Sequence, residues 1–425
     1  MSKEKSSRVS GFYKLPIEDR LKNIADFAEL SKEEVETLRS GGGLAIDAAD
    51  RMIENVVSTM AYPFGVAVNF KINGRDHLVP MVLEEPSVVA AASNMARIMR
   101  NGEGIKTSST DPIMIGQIQI LNVVDPEKKR EAVLAAKGEI LEFANQQDPT
   151  LVKFGGGARD LEIRLLNSRV GPMMVVHILV DCRDAMGANT VNTMCEALAP
   201  KMEQITGGRV LLRIISNLAD KRLVRAEALV LKEDLEGEQV ADGIVTASAF
   251  AEVDPYRAAT HNKGIMNGVI AVALATAQDH RAIEAGAHSY AARSGRYTAL
   301  TRWEKTQEGN LLGRLEMPMP VGTVGGSTRV HPVARVALRV MGINSARELG
   351  EVMGAVGLAQ NLGALKALAT EGIQRGHMRL HARNLVVMAG AEGALADKAL
   401  EELLASGDIR FDRAVAIVRE LKGEG

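Results

Sequence analysis

A cation, an amide and an acid surround one apolar run in this chain. Lys263 stands in His261-Asn-Lys-Gly264, Asn267 follows it at i+4, Arg257 precedes it, and Asp279 closes the stretch in Ala-Gln-Asp-His280. Val269 to Ala277 carries no polar side chain except Thr276, so it is fit to be a buried helix. A lysine beside low-dielectric surroundings must find a carboxylate, lose its proton, or do chemistry. If the segment is helical, Asn267 shares the face of Lys263. A helix whose ends carry ordinary solvated charges fits the same spacing, because structural ion pairs produce such patterns too.

Other chemistry-bearing residues lie far from this stretch. Pro86 in Glu84-Glu85-Pro86-Ser87 suits a first helical position, which puts Glu85 at or beside an N-cap and Ser87 in the first turn. In Asp181-Cys-Arg-Asp184-Ala-Met186-Gly187-Ala-Asn189, small residues at a helix N-terminus let backbone N–H groups approach an anion, and a pyrophosphate would fit. Asx residues serve equally well there as plain caps. His377 and His381 are spaced to chelate, but no third ligand is near and no His-Glu-x-x-His occurs, so no metal is expected. A single histidine on a C-terminal flap reads better as a proton donor delivered on closure.

The elements that must position these residues alternate in type along the chain. Ser31 to Glu34 is a capping box, Gly41 to Gly43 stops that helix, and a further helix is expected over 45–60. A hairpin over 66–82 turns at Asn73-Gly74, and the polar stretch 106–112 marks a boundary. Beyond it come a strand (113–124), a helix (126–147), strands over 161–166 and 173–182, a helix (187–205) and a strand (210–215). That β-α-β-β-α-β order is a ferredoxin-like split unit, and no Gly-x-Gly-x-x-Gly follows any strand. After Asn217 the chain returns to the first domain. Gly322 to Thr328 reads as a flexible loop, Gly342 and Gly363 as helix breaks, and Gly372 with Gly376 as a hinge. The fold class is therefore α+β: a large, mainly helical domain (1–111 and 217–371), an inserted ferredoxin-like domain (112–216) and a C-terminal helical flap (372–425).

Bulk properties narrow the partners. A chain of 425 residues exceeds a single core, and 46% apolar with 3% aromatic residues describes a helix-rich core of Ala, Val, Leu, Ile and Met. A net charge of −2 gives no electrostatic case for nucleic acid or an anionic membrane. Cys182 and Cys195 form neither a CxxC nor a ligand set, which suits a reducing cytoplasm. No apolar run is read as reaching the roughly 20 residues of a membrane span.

Four motifs in order, Glu84-Glu-Pro-Ser87, Asp184-Ala-Met-Gly-Ala-Asn189, His261-Asn-Lys-Gly-Ile265 and Gly372-Ile-Gln-Arg-Gly-His-Met378, resemble the soluble, bacterial-type (class II) 3-hydroxy-3-methylglutaryl-CoA (HMG-CoA) reductases, closest to the mevalonate-degrading type. The resemblance implies a four-electron interconversion of HMG-CoA with mevalonate and CoA. Two hydrides each place charge on a carbonyl oxygen, so a fixed cation beside that oxygen is the largest need. Lys263 matches the family's lysine, Asp279 the acid that holds and tunes it, Glu85 the acid that exchanges a proton at the aldehyde stage, and His377 the residue that protonates the departing CoA thiolate. Ser87, Arg257 and Asn267 match residues that hold the substrate. Asp184, Met186, Gly187 and Asn189 resemble the dinucleotide corner, and Asn217 a residue near the reacting centre. Asp148 matches an acid that accepts hydrogen bonds from the adenosine ribose in NADH-preferring relatives. A carboxylate there would repel a 2′-phosphate, so NAD is expected ahead of NADP, although Thr150 stands where an apolar residue is expected. Homodimers with the site at their interface, often three dimers joined, are implied too.

Two other functions compete. An RNA-binding use of a ferredoxin-like sheet needs aromatic residues on its strands, and residues 113–216 hold only Phe143 and Phe154, both off them. A CoA-thioester hydrolase or lyase would use Lys263, Glu85 and His377 without nicotinamide.

Overall fold

The computed structural model describes residues 5–370 and 373–423, with residues 373–380 described only as the course of a helix. Helices α1 (Ile17–Ala28), α2 (Lys32–Arg39) and α3 (Ile46–Asp50) precede the hairpin of β1 (Phe64–Ile72) and β2 (Arg75–Val82). Ser31 and Glu34 exchange side-chain bonds to each other's backbone N–H at 3.2 and 2.7 Å, the capping box read from sequence. The hairpin turns on Asn73 (φ 48°) and Gly74 (φ 81°), the two left-handed positions of a type I′ turn. The helix expected over 45–60 ends at Asp50 instead. Beyond it Ile53 and Val57 are 66% and 94% exposed, so no core face holds those β-branched residues helical.

Next come α4 (Val88–Met99) and β3 (Ile105–Ser109). Pro86 is not the first residue of α4: Ser87, at φ 75°, is the N-cap, and Glu85 lies in the turn before it. A second sheet follows, from β4 (Ile113–Leu121), α5 (Pro126–Ala135), α6 (Lys137–Asn145), α7 (Pro149–Lys153), β5 (Gly157–Ser168), β6 (Gly171–Asp181), α8 (Ala188–Thr206) and β7 (Arg209–Ser216). Its order β5-β6-β4-β7, antiparallel throughout, is the ferredoxin-like arrangement. The helix expected over 126–147 is broken at Ala136, just ahead of the weak helix former Gly138.

The chain then supplies β8 (Leu223–Val230), α9 (Glu238–Val253), α10 (Pro255–Ala275), α11 (His280–Ala291), β9 (Thr301–Lys305), β10 (Leu311–Pro318), α12 (Gly326–Val330), α13 (Pro332–Met341) and α14 (Ala346–Ala369). These strands complete a six-stranded sheet, β2-β1-β3-β8-β10-β9, of which sequence reading had seen only the hairpin. One face packs Val224, Ala226, Ala228, Val230 and Leu315 into the main core with α10 and α14; the other pairs Arg225 with Glu316 and Arg314 with Glu227. α14 passes through Gly363 unbroken, because the missing side chain lets Ala91 and Met95 of α4 close in. At 24 residues and mean hydropathy 1.2, α14 has the length and composition of a membrane span, contrary to the expectation; with 67% of its apolar window buried it is the central core helix. Helices α15 (Ile373–Met388), α16 (Gly393–Ser406) and α17 (Phe411–Lys422) share a separate apolar cluster.

Candidate active site

Asp254 opens α10 by accepting the Arg257 N–H at 2.8 Å, with Pro255 at the first helical position. Two turns on, Lys263 Nζ meets Glu85 Oε2 at 2.9 Å across a sequence gap of 178 positions. The lysine side chain is 61% exposed and the glutamate 34%. Such an exposed pair contributes only about 0–1 kcal/mol, so stability does not account for it. Around it stand polar groups with no side-chain partner among the described residues: the Ser87 hydroxyl, the Asn267 amide one turn beyond the lysine, and the Arg257 guanidinium, whose partial burial lowers its pKa. The carbonyl oxygen of Gln360 on α14 is also buried and unpartnered, where that side chain packs on Gly268. Sequence reading missed Gln360. Its signal, the Gln360-Asn361 amide pair inside an apolar helix, was visible.

The rear of α10 is polar and closed. Trp303 Nε1 donates to Asn361 Oδ1 at 2.7 Å, which turns the Asn361 amide nitrogen toward His261 Nε2 at 3.1 Å. Thr301 Oγ1 lies 2.5 Å from the same Nε2. The Thr301 hydroxyl also donates to Asn361 Oδ1 at 2.9 Å, and the other ring nitrogen of His261, Nδ1, is buried without a partner among the described residues. Burial, with the Arg257 charge adding to it, pushes the His261 pKa down to about 3. Asn262 clamps the 298–300 loop through Thr298 O (2.9 Å) and Leu300 N–H (3.0 Å). Two of the four residues in His-Asn-Lys-Gly thus fix the helix that presents the lysine.

Asp279 is not in this cluster within one chain. It caps α11, accepting the Ala282 N–H at 3.1 Å, and its other contact is Arg281 at 3.5 Å. From Lys263 to Ala275 the helix alone spans ~18 Å at its usual rise.

The nucleotide-like corner lies between β6 and α8. Gly187, at φ 107°, opens α8 with no side-chain cap, and a Cβ there would lie 2.4 Å from Cys182 Sγ. The first-turn N–H groups stay open to an anion. Asp148 caps α7 through Leu151 N–H at 2.9 Å and accepts the Thr190 hydroxyl at 2.8 Å, which sets its carboxylate against the first turn of α8. Asp184 instead accepts the Ala346 N–H at 2.8 Å, joining the corner to α14, while Asn189 and Asn217 are exposed. Both cysteine thiols are buried, and burial raises each to about 12. The His377 side chain, like Gly372, lies outside the described residues, so its assignment is untouched by this geometry. Among the described residues no cluster of His, Cys, Asp and Glu could hold a metal ion.

The family described as hydroxymethylglutaryl-coenzyme A reductase matches residues 16–382. The chain is 55% identical to the 3-hydroxy-3-methylglutaryl-coenzyme A reductase of Archaeoglobus fulgidus over 98% of its length and 95% of the relative's. It is 34% identical to a probable reductase of the same name from Borreliella burgdorferi, covering 88% and 87%. A solved reductase of Streptococcus pneumoniae superposes with TM-score 0.84 at 41% identity, covering 97% of this chain and 99% of that one. The class II reductase of the same organism, bound to NADPH in open conformations, gives 0.83 at 42% identity over 85% and 99%.

Proposed function

Because the chain belongs to the hydroxymethylglutaryl-coenzyme A reductase family, whose nicotinamide-dependent oxidoreductases interconvert HMG-CoA with mevalonate and CoA, we propose that Lys263 and Glu85 form the reacting centre. The 2.9 Å pair carries this reading. An ammonium fixed there opposes the charge that develops on the carbonyl oxygen, and the adjacent carboxyl exchanges a proton at the aldehyde stage. Ser87, Arg257 and Asn267 hold the substrate's carboxylate and hydroxyl; their lack of protein partners supports that role. Bound nicotinamide supplies or accepts the two hydrides. Asp184, Met186, Gly187 and Asn189 seat the dinucleotide, Asn217 lies near the reacting carbon, and His377 protonates or deprotonates the CoA sulfur.

Asp279 completes the cluster from a second copy of the chain. Its position at the far end of α10 supports this, as does the exposed apolar segment around Ile53, Val57, Met60 and Tyr62, which suits cover by a partner. The working unit is a homodimer, with three dimers joining as a hexamer, in the cytoplasm. Residues 1–111 with 217–371 form the substrate and dimerisation domain, 112–216 the nucleotide domain and 372–425 the flap. Asp148 favours NAD over NADP: its carboxylate beside Thr190 suits a ribose diol and opposes a 2′-phosphate.

The test is direct. Absorbance at 340 nm rises when mevalonate, CoA and NAD+ are added, and a flat trace from folded protein with either nucleotide removes the reading. His377→Ala retains mevaldehyde reduction, where no thiolate leaves; equal loss in both half-reactions removes that assignment.

A further inference from the structure

We infer that Gln278 is a positioning residue that fixes Asp279 relative to the nucleotide corner by bracketing the backbone of Gly322. The inference rests on the reading of residues 184–189 as the nucleotide site. Gln278 is buried between the two regions. Its amide nitrogen donates to Gly322 O at 2.9 Å and its amide oxygen accepts Gly322 N–H at 2.8 Å, so one side chain grips both polar groups of one residue. Thr328 strengthens the grip, its hydroxyl lying 3.1 Å from the Gln278 nitrogen and donating to Thr276 O at 3.0 Å.

The opposite side of Gly322 presses on the corner. A Cβ at Gly322 would fall 2.6 Å from Met186 N and 3.2 Å from Asp184 O, so no other residue fits. Thr323 N–H donates to Asp184 O at 2.9 Å. Arg222 ties the same pieces from beneath: its buried guanidinium, without a carboxylate partner among the described residues, donates to Ala185 O (3.0 Å), Met186 O (3.2 Å) and Val321 O (2.6 Å). The loop read from sequence as flexible is therefore held on both sides.

Little slack remains between Gln278 and Asp279. α10 ends in a Schellman pattern, Gln278 N–H to Ala273 O at 2.8 Å and Ala277 N–H to Leu274 O at 3.1 Å, with Ala277 in the left-handed region at φ 53°. Asp279 then caps α11. Backbone and side chain of Gln278 are both fixed, and residues 184–186, 321–323 and 278–279 form one continuous hydrogen-bonded body. Nucleotide seated at the corner thereby sets the acid, 16 residues beyond Lys263 past the end of the same helix.

Hydrogen exchange of the full-length protein with NADH alone tests this. In the wild type, NADH slows exchange over 184–190 and, by about threefold or more, over 276–285, which it does not touch. Gln278→Met, close in volume but unable to bracket Gly322, keeps the first effect and loses the second; kcat falls about tenfold or more while the KM for HMG-CoA holds. Gln278→Glu, which keeps the acceptor for Gly322 N–H, recovers part of kcat. Protection confined to 184–190 in the wild type overturns the inference even if Gln278→Met fails to fold, as does kcat unchanged in that variant. Absence of protection at 184–190 overturns the nucleotide reading as well, so the two failures are told apart.

Discussion

The two ends of α10 treat polar atoms in opposite ways. At the Lys263 end, Ser87, Arg257, Asn267 and the Gln360 oxygen have no side-chain partner among the described residues, and the ion pair is open to water. At the Asp279 end, the Gln278 amide and both backbone groups of Gly322 are satisfied within 3.1 Å. Unsatisfied polar groups are costly when buried, so a cluster of them marks where something else is meant to bind. The saturated end behaves as scaffold and the unsaturated end as a receptor.

Five changes break or sharpen this contrast. Lys263→Ala removes the cation and lowers kcat by a factor of about 10³ or more, while the midpoint of thermal unfolding hardly moves, because the exposed pair contributes only about 0–1 kcal/mol. Asn361→Leu should do the reverse, destabilising the fold by about 3 kcal/mol in urea titration, since Trp303, Thr301 and His261 lose a common buried partner. A pH series of such titrations isolates His261. Its folded pKa, about 3, lies below its ordinary value of 6.5, so its contribution is full above about 6.5 and declines as pH falls toward 3. The slope approaches ~1.4 kcal/mol per pH unit, and His261→Gln flattens it. Asp148→Ser raises the kcat/KM ratio of NADP to NAD by about fivefold to tenfold if its carboxylate opposes the 2′-phosphate. Ala277→Gly relieves the left-handed alanine and stabilises by about 1 kcal/mol or less, measured as a shift in urea midpoint.

Sequence made one end of α10 far more legible than the other. Lys263 stood out as a charge inside an apolar pattern, and Asn267 shared its face once helicity was assumed; the structure bears out both placements. The Glu85 contact needed the family motifs, since no local rule links positions 85 and 263. Asp279 was expected in the same cluster, yet within one chain α10 sets it at the opposite end from Lys263. The bracket at Gln278 escaped notice because a glutamine beside an aspartate has no periodicity to betray it. The ferredoxin-like unit was readable from alternating Ile, Val and Met, whereas β8 is written Leu-Val-Arg-Ala-Glu-Ala-Leu-Val, whose alanines are poor strand formers and acquire their β conformation from β3 and β10. Over 45–60 the reverse held: the local pattern suited a helix, but among the described residues nothing buries Ile53, Val57 or Met60.

The three C-terminal helices enclose Leu385, Val386, Leu400, Leu403 and Ile417 among themselves. A bundle whose oily interior is its own takes little of the main core with it when it is removed. Thermal melting of a chain cut after Thr370 should therefore still report a cooperative main body, with the lost part missed only by the chemistry.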